Sequence, residues 1–150
     1  MATPLAAAYV PTVALAGNAT ITLESKYTGK HFTYRIKRCD NKEELYFVHL
    51  LRGADNEHDY SYVGCYYSDD KHFHPCKHYQ QIPRRNWSIS MQAIAYFFER
   101  LYDIPDNLLV YNEGKCARCG RKLTTPESVV SGFGPECVKL VKGAIAYDYT

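Results

Sequence analysis

The chain has 150 residues, of which 46% are hydrophobic and 23% charged, with a formal net charge of +2. This is enough apolar material for one ordinary domain, or one domain with a small appendage. No stretch approaches the roughly 20 apolar residues of a membrane span, and the charge falls far short of the strongly basic balance that marks a nucleic-acid binder by itself.

Residues 1–18 are rich in alanine, but Pro4 and Pro11 interrupt them and no Lys or Arg precedes the apolar stretch. A secretory signal needs a positive start and an unbroken apolar run. The segment therefore reads as an extended N-terminal arm, and a soluble, cytoplasmic protein with reduced thiols is expected. Residues 19–111 read as an antiparallel sheet plus helix domain. Thr20 to Leu23 have the β-branched character of a strand, and Tyr27-Thr28-Gly29-Lys30 has that of a turn. From His31 to Arg38 the pattern alternates, with Phe32, Tyr34 and Ile36 on one face and His31, Thr33, Arg35 and Lys37 on the other. That period of two marks a half-buried antiparallel strand. Leu45 to Leu51 is apolar on both faces except at His49, as a central strand would be. Tyr60 to Tyr67 is a further strand, with Gly64 marking a bulge.

Asp69 to Pro83 reads as irregular and polar. A helix capped by Ser88 or Ser90 follows, its stripe of Met91, Ile94, Ala95, Phe98 and Leu101 falling at helical spacing. Pro105 lies beyond its end, and Leu108 to Tyr111 forms a short strand. Most of the 14 tyrosines are accounted for by strand propensity, although tyrosine is also enriched at binding surfaces.

Residues 112–150 read as a zinc-finger-like module. Cys116-Ala117-Arg118-Cys119-Gly120 is a Cys-x-x-Cys-Gly knuckle, whose two intervening residues bring both thiolates onto one tetrahedral ion. Gly120 supplies the positive φ such a turn often requires. Arg118, Arg121 and Lys122 place positive charge beside thiolates that must lose their protons to bind metal. Pro135 and Glu136 suit the first turn of a helix, putting Cys137 where the helix dipole favours a thiolate. Cys116, Cys119 and Cys137 are thus three ligands for Zn2+. A redox pair would sit at a helix start in a βαβ setting, and Gly120 opposes a helix there. The expected fold is α+β: an antiparallel β-meander packed by one amphipathic helix, with a small C-terminal treble-clef-like zinc finger.

The motif Cys116-x-x-Cys119-Gly120-Arg121-x-Leu123-Thr124-x-Pro126-x-Ser128, followed by Gly132-x-Gly134-Pro135-x-Cys137, resembles an uncharacterised zinc-finger-like family of bacteriophages and mobile elements. The close resemblance covers about a fifth of the chain, and it implies a setting rather than a reaction. Many members of that family carry a histidine four residues before the first cysteine, where this chain has Asn112. The fourth metal corner is then open or filled from elsewhere. His72, His74, Cys76 and His78 recur at spacing two, so an extended chain would face all four one way. Cys76, or one of these histidines, is the candidate fourth ligand, stapling the sheet to the finger; the alternative is a polar loop with exposed histidines.

Arg35, Lys37, Arg118, Arg121 and Lys122 form a candidate basic surface for phosphate contact, with tyrosines available for base stacking. Asp55, Glu57, Asp59, Asp69 and Asp70 give the surface a second sign, which suits a protein partner as well. Nucleophile elbow, phosphate loop and His-Glu-x-x-His are missing, as is the His-x-Glu with Pro-Cys-x-x-Cys of the zinc deaminases. The sequence therefore points to a non-enzymatic module that binds nucleic acid or a nucleoprotein. The competing expectations are an inhibitor of a host defence protein and a metal-dependent enzyme with an open zinc position. A monomer and a small homo-oligomer both fit.

Overall fold

The computed structural model describes residues 3–55, 57–141 and 143. Its centre is a six-stranded antiparallel sheet in the order β5-β4-β3-β2-β1-β6. The strands are β1 (Asn18–Ser25), β2 (His31–Arg38), β3 (Leu45–Leu51), β4 (Tyr60–Tyr67), β5 (His72–Pro75) and β6 (Leu108–Asn112). The first five form a meander, and β6 returns to pair with β1 at the edge opposite β5. Strands β2, β3 and β4 have the bounds read from the sequence. The bulge falls where the β3–β4 register shifts between Val48 and His49, leaving Val63 as the extra residue beside Gly64. A Cβ on Gly64 would lie 2.5 Å from the His74 carbonyl oxygen and 2.7 Å from Cζ of Phe73. Glycine there lets β5 close onto β4.

One face of the sheet is the core. It carries Ala19, Ile21 and Leu23 of β1, Tyr34 and Ile36 of β2, Tyr46, Val48 and Leu50 of β3, and Tyr66 of β4. Helix α3 (Ile89–Glu99) covers part of it. Met91, Ile94, Ala95, Phe98 and Leu101 are all buried, as their spacing requires, and Phe97 joins them. Phe98 stacks on Tyr66 with ring centroids 4.3 Å apart and on Phe73 at 5.5 Å. Burying each such large side chain contributes about 1.5–3 kcal/mol. The fully buried Tyr34 hydroxyl donates to the Ser90 carbonyl at 2.6 Å, which gives the one polar atom of that ring a partner.

Two elements differ from their sequence readings. Residues 7–14 are not an extended arm: a 3-10 turn (Ala7–Tyr9) leads into helix α1 (Val10–Ala14). Tyr9, Val10, Val13 and Ala14 are buried in the same core. Pro11 sits in the first turn of α1, where its missing N–H costs no hydrogen bond. The segment after Asp69 is not wholly irregular either. β5 pairs with β4, Tyr66 opposite Phe73 and Cys65 opposite His74. Pro75 is compatible with this because β5 is an edge strand. Short helix α2 (Lys77–Gln80) follows directly, with Cys76 as its N-cap residue, so the spacing-two alignment of His72 and His74 does not extend to His78.

The cysteine-rich segment does not have a core of its own. Cys116, Ala117, Leu123, Phe133 and Cys137 belong to the cluster that contains Val10, Val13 and Ile21. Two short helices complete it, α4 (Pro126–Ser131) and α5 (Cys137–Leu140). Among the described residues no helix is long and apolar enough to cross a membrane.

Candidate metal centre and the adjoining basic surface

Strand β6 ends at Asn112, and the chain then folds the knuckle over β1. Lys115 and Lys122 form an antiparallel bridge, Cys116 N–H donates to the Arg121 carbonyl, and Gly120 N–H donates to the Cys116 carbonyl. The turn needs glycine at position 120 twice over: φ is +81°, and a Cβ would lie 2.8 Å from Nδ2 of Asn18. Asn18 N–H donates to the Ala117 carbonyl, and Ala117 N–H donates to the Gly132 carbonyl. The knuckle is thereby pinned to β1 on one side and to the C-terminal end of α4 on the other. Thr125 caps α4 by accepting from Ser128 N–H, and Gly132 ends it at φ +80°. Cys137 opens α5, one turn after Gly134, whose carbonyl accepts from Val138 N–H.

The result is a cluster of three sulfurs, from Cys116, Cys119 and Cys137, all within 4.8 Å of one another. A tetrahedral zinc with Zn–S of about 2.3 Å would hold its sulfurs about 3.8 Å apart, so the three thiols fit one ion. Cys116 and Cys137 are buried and Cys119 is exposed. Burial pushes the Cys116 thiol up, but hydrogen bonds from the backbone N–H groups of Gly134, Cys119 and Arg118 outweigh it and the net shift is downward. That is the loop geometry expected to stabilise a thiolate. Burial moves the Cys137 thiol upward, opposed by Nη1 of Arg118, which donates to Cys137 Sγ at 3.5 Å.

Among the described residues no fourth His, Cys, Asp or Glu joins the group. Cys76 is not brought to it. Cys76 follows β5, and four strands stand between β5 and β6 in the sheet order. Its N–H donates to the Val63 carbonyl of β4. Asn112 is 9% exposed and faces the core beside Gly132, with neither atom of its side-chain amide hydrogen-bonded among the described residues.

The five cationic residues singled out from the sequence occupy neighbouring surfaces. Lys37 and Arg118 line one groove together with Gly17, Asn18 and Arg38, and Asp40 and Glu43 lie in the same groove. Lys122 lines a second groove with Thr20, Thr33, Tyr60 and Lys115, and the guanidinium of Arg35 lies 4.1 Å over the Tyr60 ring. Lys115 pairs with Glu57 at 2.9 Å, and Arg35 donates to the Glu57 carbonyl. Arg121 is exposed on the knuckle itself. Sequence reasoning passed over Phe47, His49 and Tyr62, which register places on the same sheet face as Arg35 and Lys37.

Comparison with known proteins adds one match: the model of DUF6011, a family of unknown function, aligns with residues 110–142. That span contains the end of β6, the knuckle, α4 and all three clustered cysteines. No curated protein and no solved structure matches the chain.

Proposed function

We propose that the protein is a non-enzymatic zinc-binding accessory module that binds nucleic acid or a nucleoprotein through a basic surface. Zn2+ held by Cys116, Cys119 and Cys137 would neutralise the thiolates and lock the knuckle against β1. The observation that carries the reading is that the knuckle adds cations to those of the sheet in two grooves: Arg118 lines one with Lys37, and Lys122 lines the other with Tyr60, whose ring lies under Arg35. Charges from distant parts of the sequence then act on one ligand. A phage or mobile-element setting rests on the motif resemblance alone.

The test is a salt titration of binding to a labelled oligonucleotide. Neutralising Arg35, Lys37, Arg118 and Arg121 together should weaken binding and flatten the log K against log [salt] slope by up to about 2.8–3.6, at roughly 0.7–0.9 per lost phosphate contact. No binding at about 50 mM salt, where such contacts are strong, would sink the proposal. A pull-down from host lysate with and without nuclease separates it from a protein inhibitor, whose partner survives the nuclease.

A further inference from the structure

The sheet face opposite α3 is open over β2 to β5. Two cross-strand rows run along it. One is Arg35, His49 and Tyr62; the other is Lys37, Phe47, Cys65 and His74. Phe47 and Tyr62 meet edge to face with centroids 6.3 Å apart, and His49 meets Tyr62 at 5.5 Å. Tyr62 is 46% exposed although it stands mid-sheet, and Nδ1 of His49 has no hydrogen-bond partner among the described residues. The face-up residues of these four strands include no Asp or Glu. Rings set beside Arg35 and Lys37, in rows that carry no carboxylate, complement a polyanion with flat apolar groups; the nearest acids lie at the margins, Glu57 paired with Lys115 and Asp40 and Glu43 in the groove of Lys37.

Resting on the proposed nucleic-acid reading, we infer that the ligand is single-stranded nucleic acid, with bases stacked on Tyr62 and Phe47 and the backbone tracked by Lys37 and the knuckle cations. Bases in a duplex are already stacked on each other and cannot reach a ring lying in a sheet. A duplex reader places a helix or ribbon in a groove, whereas α3 lies on the opposite face. Stacking is tolerant of sequence and is strong enough to work with few phosphate contacts. That suits a chain whose net charge is only +2.

The test uses the full chain and fluorescence anisotropy with three probes of about 15 nucleotides, within the range of single-strand site sizes: oligothymidylate, oligouridylate and a mixed-sequence duplex. Single strands should bind at least about tenfold more tightly than the duplex, and the first two probes separate a DNA ligand from an RNA one. Tyr62→Ala should weaken single-strand binding about tenfold while leaving the salt slope unchanged, because no phosphate contact is removed. Tyr62→Phe keeps the ring and should bind as the parent does. Tyr62 is exposed enough for both variants to fold, which the melting curve checks. Equal binding of duplex and single strand, or a Tyr62→Ala variant equal to the parent, overturns the inference and leaves the basic-surface reading standing. If nothing binds at low salt, both fall. If Tyr62→Ala instead abolishes self-association in sedimentation without changing oligonucleotide affinity, the face is a protein interface and the inference is wrong.

Discussion

Replacing Cys119 with serine should lower the melting temperature only through lost metal. Of the three clustered cysteines, Cys119 alone is exposed, whereas Cys116 and Cys137 are buried. Serine at 116 or 137 would mix the loss of a ligand with the burial of a new hydroxyl. At position 119 the metal-free protein should be nearly unaffected, since exposed substitutions usually fall within about 0.5 kcal/mol. An ion that binds only the folded state stabilises it by about 2.7 kcal/mol when its free concentration is 100 times Kd. For a chain of this size that corresponds to a melting shift of roughly 5–11 °C. The assay is thermal unfolding followed by circular dichroism, with added zinc and after exhaustive chelation. The parent should lose that amount on chelation, and Cys119→Ser should melt close to the chelated parent in both conditions. A parent that melts identically with and without chelator, and retains no metal by elemental analysis, would refute the metal assignment. A Cys119→Ser variant that still melts as the zinc-loaded parent would remove Cys119 from the ligand set.

The core makes its own predictions. Tyr34→Phe removes the donor to the Ser90 carbonyl and should cost about 1 kcal/mol in urea unfolding. Burial raises the Tyr34 phenol well above its ordinary range and pushes the Tyr66 phenol up to about 12. In the unfolded chain both ionise near pH 10. Above that pH the unfolded chain has lost protons the folded chain keeps, so stability is fully present below pH 10 and falls as pH rises toward 12. The slope is up to about 1.4 kcal/mol per pH unit for each such tyrosine. Phenolate absorbance should include a step that coincides with unfolding, contributed by these two buried rings. Gly64→Ala should cost about 1–3 kcal/mol, the usual penalty of overpacking, because a Cβ there meets the backbone of β5; hydrogen exchange should show β5 released first.

Much of this architecture was readable wherever a period was complete. β2 alternates without a break, so its bounds and its buried face followed; the stripe from Met91 to Leu101 repeats at helical spacing and gave the buried face of α3, although the helix itself ends at Glu99. The three cysteines were readable because a knuckle turn and a helix start each have local chemistry. Proline misled the reading of two segments. Pro11 reads as an interruption and the segment around Pro75 as irregular, yet one proline occupies a first helical turn and the other an edge strand, positions that cost no hydrogen bond. The stripe Val10, Val13, Ala14 was the available signal for α1. Cys76 failed for a different reason. Strand order across a sheet depends on which strands pair, and that is not written near the cysteine. The aromatic rows are equally hidden, since Phe47, His49 and Tyr62 share a face only once register is fixed.

The hydroxyl of Tyr9 donates to the carbonyl of Ser131, and Leu5 N–H donates to the carbonyl of Val110. The earliest described residues are therefore held by some of the latest. During synthesis the inner strands β2 to β4 find their neighbours soon after they emerge. α1 and the outer side of β1 do not, because their cover arrives only with β6 and the segment that follows it. Until then a growing chain carries a bare apolar ledge and an unpaired strand edge, the kind of surface that attracts holding chaperones and other nascent chains.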